Sequence, residues 1–151
     1  MSYFIHAFLR SSEPPSATGA KEYLLEGALF DTRPQISVHT SPDGSFETME
    51  LDYHPNRRPI VLRQLFGEEA EGNRAEAIDV ATVCNHPEIA AELEAAKTIL
   101  KWEVERSELD EDAWFAIHLW QVWILGPSKG WLYAPGDGLF DAELKRRCRD
   151  R

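Results

Sequence analysis

Three side chains able to do chemistry recur at helical spacing in the last third of the chain: Trp114, His118 and Gln121 stand at i, i+4 and i+7. On a helix they share one narrow stripe, so an imidazole and a primary amide project from the same side beside an indole. Two polar groups in an aromatic wall can orient a small ligand. A lone imidazole on an apolar helix more often has a core role, hydrogen-bonded to a nearby carbonyl. His6, the one strongly polar side chain of an apolar N-terminal stretch, joins this site if its strand lies beneath the helix.

A second polar cluster is Asp52, His54, Arg57 and Arg58. Alternation puts Asp52 and His54 on the polar face of a hairpin, and the two arginines add anion recognition at its end. Its plainer reading is a solvated bend with local ion pairs. No phosphate-binding glycine loop, nucleophile elbow, His-Glu-x-x-His or Cys-x-x-Cys motif is recognised, so no catalytic residue, metal or cofactor is assigned. Pro135-Gly136-Asp137-Gly138 reads as a turn between short strands.

The element carrying the first group is a helix over residues 113–125. Ser107 or Asp110 can cap it, Asp110, Glu111 and Asp112 put negative charge at its positive end, and Gly126-Pro127 stops it with a left-handed glycine cap. Apart from His118 and Gln121 its interior is apolar nearly all round, which implies burial on more than one side. At roughly 20 Å it is too short to cross a bilayer. Four of the five tryptophans fall in residues 109–143. Phe115, Trp120 and Trp123 are therefore candidate interface anchors, a role for which such surface is suited.

The strands that could lie under this helix are also legible. Residues 3–9 form an apolar, central strand. Residues 35–53 form a hairpin about Ser41-Pro42-Asp43-Gly44, in a register pairing residues whose numbers sum to 85; it sorts Ile36, Met49 and Leu51 from Gln35, Ser37 and Glu50. Another strand covers 60–66, followed by an exposed acidic break at 67–72. Asn73-Arg74-Ala75-Glu76 is a capping-box variant opening a helix to about Cys84, and Pro87 restarts it. Leu100, Trp102 and Val104 alternate with charged residues in a one-sided strand. Short strands follow at 131–134 and 139–141, and a helix lies at 21–30.

Helices on one face of a mostly antiparallel sheet make an α+β two-layer sandwich, with room for a C-terminal strand–helix–strand crossover. The whole chain, 1–151, reads as a single domain with a frayed basic tail at 145–151 that could pair with the acidic stretch 68–94. The net charge of −10 disfavours nucleic acid and anionic membranes as partners. With no secretory start, Cys84 and Cys148 are expected as reduced thiols in a cytoplasmic protein, the first a small core residue and the second exposed.

Two functions follow as expectations. The first is a non-catalytic protein-interaction domain, pairing with itself or with a basic partner in the manner of an immunity-type inhibitor. The alternative is a small-molecule-binding domain or enzyme with its pocket near His118. A deep cavity beside His118 favours the alternative, whereas a filled core favours the interaction domain.

Overall fold

The N-terminal strand β1 (Ser2–Leu9) carries apolar side chains on both parities, so both of its faces must be covered. In the computed structural model, which describes residues 2–13, 17–27, 34–40 and 47–150, it lies inside an eight-stranded sheet. The order is β2-β3-β4-β5-β1-β6-β7-β8, with β2 (Gln35–Thr40), β3 (Glu47–Asp52), β4 (Ile60–Leu65), β5 (Thr98–Glu105), β6 (Trp131–Ala134), β7 (Gly138–Phe140) and β8 (Arg146–Arg149). Every neighbouring pair is antiparallel. The chain thus has an α+β fold, and β1 is central as its composition predicts.

Alternation along β1 separates two cores. Ile5, Ala7 and Leu9 join one with α1 (Ala17–Gly27) and α4 (Glu111–Leu125), where Trp102 and Trp120 meet edge-on at 6.0 Å. Phe8 joins the other with α2 (Gly67–Val83) and α3 (Pro87–Ala95), through Leu65, Ile99, Tyr133 and Leu139. The helices are therefore divided between the two faces instead of gathered on one. One-sided strands such as Leu100–Val104 conceal this, because the second core uses the opposite parity of β1, β6 and β7 and the small residues Ala70, Ala77 and Ala81 of α2. β5, α4 and β6 form the expected crossover, with β1 between two strands that both run antiparallel to it.

Several local expectations are corrected. The hairpin pairs Ile36 with Leu51 and Val38 with Met49, a sum of 87 in place of 85. A two-residue slip keeps every side chain on its face, so the apolar pattern could not separate the two registers. The turn expected at Ser41–Gly44 lies outside the described residues, as does the end of the helix expected at 21–30. The acidic stretch 67–72 is the first part of α2, where Glu68 and Glu69 meet the positive helix end. Asn73 does not cap it; its amide donates to the Glu69 carbonyl at 2.8 Å. Gly126 is right-handed, and the close approach falls instead at Gly130, where a Cβ would stand 2.8 Å from the Phe8 carbonyl oxygen.

The basic tail is not frayed. Residues Arg146–Arg149 pair with β7, and Cys148 forms a disulfide with Cys84 at a Cα–Cα distance of 6.0 Å. Neither cysteine is the free thiol the sequence suggests, because only the fold brings together residues 64 apart. Closing a loop of that length contributes about 2–4 kcal/mol by restricting the unfolded chain. The same contact sets the tail beside acidic α2.

His6 lies on the α2/α3 face, 3% exposed, its ring 6.0 Å from that of Tyr133 and its Nδ1 without a partner among the described residues. Burial first, then the charge of Lys101, pushes its pKa down to about 4 from 6.5. The unfolded chain takes up this proton at higher pH than the folded one. Stability is accordingly full above about pH 6.5 and falls by about 3 kcal/mol as the pH drops to 4. Urea unfolding at both ends of this window should show the loss in the wild type and much less of it in His6→Phe, which keeps a ring against Tyr133. An equal loss in both would contradict the assignment.

Candidate functional site

The stripe Trp114–His118–Gln121 does border a cavity, of about 200 Å³. Three elements build it. Tyr3 and Ile5 share one parity of β1, α4 supplies the stripe, and the β6–β7 hairpin supplies Leu132, Ala134, Asp137 and Phe140. Arg106, from the single 3-10 turn Arg106–Glu108 after β5, lies at the rim. Gly138 fixes the hairpin's shape: its φ is +137°, and any Cβ there would run into the Cys148 carbonyl of β8. Asp137, just before it, is held in the turn by its amide donating to the Ala134 carbonyl at 2.9 Å.

The start of α4 is fixed separately. Asp110 caps it, its carboxylate accepting from the Ala113 amide at 2.9 Å, as one of the two sequence alternatives has it. Arg57 donates to that same carboxylate at 3.0 Å and to the Glu108 carbonyl at 2.7 Å, and the Arg58 amide donates to the Glu108 carboxylate at 2.8 Å. His54 turns inward on its own bend, Nδ1 accepting from the Asn56 amide at 3.1 Å. Asp52 ends β3 opposite Gln35. The cluster Asp52, His54, Arg57 and Arg58 therefore makes a bend whose arginines clamp residues 105–110, and it stands apart from the cavity.

Within the cavity the polar groups are spaced around an apolar wall. Gln121 is only 3% exposed, yet no hydrogen bond reaches its amide among the described residues. Its amide atoms keep accessible surface, and the residue lines the open cavity. The Tyr3 hydroxyl donates to the Asp137 carboxylate, and the Arg106 guanidinium lies 4.8 Å from the centre of the Tyr3 ring. Burial, then the bond to Asp137, raises the Tyr3 pKa, so the phenol remains a donor. His118 lies at the rim, 5.9 Å from the Trp114 ring, and burial lowers its pKa, which favours a neutral imidazole at pH 7.

His6 does not join this group, because strand alternation turns it to the opposite face from Ile5. Of the three interface candidates, Trp120 is 0% exposed and belongs to the core, Trp123 lies half-buried 6.0 Å from the Tyr23 ring, and only Phe115 is substantially exposed, at 48%. Tyr3, Arg106 and Asp137 were missed. Tyr3 shares the parity of Ile5, but nothing in the sequence shows that the Pro-Gly-Asp-Gly turn would fold back to it. Gly126-Pro127-Ser128-Lys129-Gly130 does spell Gly-x-Ser-x-Gly. It joins a helix to a strand, the reverse of a nucleophile elbow, and the Ser128 hydroxyl is buried without a partner among the described residues.

Among the described residues no three His, Cys, Asp or Glu side chains converge as metal ligands, and no helix is long and apolar enough to cross a membrane. The chain matches no protein-family model, no curated protein and no solved structure.

An amide set in a mostly apolar wall and bonded to no described group gains less from its place than an apolar side chain of the same shape. Gln121→Leu, similar in size, should therefore raise unfolding free energy by about 1 kcal/mol in urea titrations. A comparable loss of stability would show that the amide is hydrogen-bonded in the native protein.

Proposed function

We propose that the protein is a small-molecule-binding domain whose ligand occupies the cavity between α4, the start of β1 and the β6–β7 hairpin. The observation that carries this reading is Gln121, whose amide lines the cavity and is bonded to no group among the described residues. Its amide donors and carbonyl acceptor stand at the cavity wall, available to water or to a ligand that displaces it. A 150 Å³ apolar cavity holds benzene, so this one, at about 200 Å³, suits a ligand of roughly eight non-hydrogen atoms.

The protein-interaction reading is placed second because its largest anchor, Trp120, is wholly buried. What remains outside on α4 is Phe115 and Val122, at 48% and 42% exposure. They share one stripe with partly exposed Leu119, a narrow strip smaller than the apolar patches that mark interfaces.

Heteronuclear NMR with a panel of small amphipathic fragments tests the proposal. Binding at affinities on the order of 0.1–1 mM should move the Trp114 indole and Gln121 side-chain amide resonances together. Ala134→Leu, which fills the cavity from its β6 wall, should abolish those shifts while leaving the dispersed spectrum of a folded protein. Fragments that shift neither group, or that bind Ala134→Leu as well as the wild type, would refute it.

A further inference from the structure

We propose that the ligand is a small zwitterion, an α-amino acid with an aliphatic side chain, its carboxylate bound by Arg106 and its ammonium by Asp137. This rests on the cavity reading above and adds the ligand's charge. Arg106 and Asp137 line the same cavity and carry opposite charges, and among the described residues neither joins an ion pair.

Tyr3 holds both in place. Its hydroxyl occupies one acceptor position of the Asp137 carboxylate, and its ring carries the Arg106 guanidinium by a cation–π contact. A carboxylate has about four acceptor positions and a guanidinium five N–H donors, so each keeps most of its capacity. No described side chain takes up what is left of either.

The rest of the wall decides what lies between the two charges. Ile5, Trp114, Leu132, Phe140 and Leu144 are apolar, which suits a hydrocarbon side chain. Gln121 offers a donor and an acceptor to either end of the head group. A simple carboxylate would satisfy Arg106 but face Asp137 as a like charge, and a simple amine would do the reverse. A ligand with both charges pairs with both residues at once, which neither singly charged ligand does. Leucine, with nine non-hydrogen atoms and its head group at the rim, matches the roughly eight the cavity can hold.

Calorimetry with four probes sharing one hydrocarbon body separates the cases: leucine, isocaproate, isoamylamine and isoamyl alcohol. Leucine should bind the wild type at least about tenfold more tightly than isocaproate or isoamylamine, a difference of about 1.4 kcal/mol. Arg106→Gln should reduce leucine to the level of the amine, and Asp137→Asn to the level of the acid. Isoamyl alcohol binding equally to all three proteins verifies that each cavity is intact. The proposal is overturned if either singly charged probe equals leucine, or if both variants bind leucine as the wild type does. Should the alcohol bind in that case, the cavity reading survives and only the zwitterion falls; should no probe bind at all, both fall.

Discussion

Burial of β1 on both faces is the constraint on which the rest of this structure depends. Its two edges are taken by β5 and β6, and its two parities feed separate cores. The parity that sets Ile5, Ala7 and Leu9 against α1 and α4 also delivers Tyr3 to the cavity. The other sends His6 and Phe8 towards α2 and α3. A strand buried in this way cannot shift register by one residue without exchanging the two sets, so the position of Tyr3 relative to α4 is strongly determined.

α4 answers the same constraint from above. It must cover β1 and its neighbours while also packing beside α1, which explains why its apolar surface extends nearly all round. The stripe left over lies where the sheet's covering ends and the cavity begins. Its N-terminus is pinned by Asp110 and by arginines from a distant bend, so Trp114 is held one turn beyond a fixed point. Exposed ion pairs are individually worth little, about 0–1 kcal/mol, and here geometry is their larger contribution. On the far side, the disulfide fastens β8 to the end of α2 and completes the support of the hairpin that carries Asp137.

Much of this could be read from residue order. Alternation identified the hairpin faces and the one-sided strand at Leu100–Val104, and helical spacing assembled Trp114, His118 and Gln121. Where the reading stopped, the missing information was three-dimensional. Alternation is blind to a two-residue slip, so the hairpin register was open. A histidine in a strand apolar on both sides can face either way, and His6 faced away from α4. Small alanines on α2 gave too weak an apolar signal to reveal a second core. Cys84 and Cys148, and likewise Tyr3 and Asp137, meet only because β6, β7 and β8 return along the sheet, and no local pattern encodes that return.

The Gln121 amide lines the cavity, is bonded to none of the described groups, and is open to a ligand. Hydrogen exchange of the Gln121 side-chain amide, followed by NMR with and without a cavity-binding probe, tests this most directly. Rapid exchange with water is expected in the protein alone, and marked protection once the probe is bound. Protection already present without any probe, unchanged on adding it, would show the amide to be bonded within the fold and not open to a ligand.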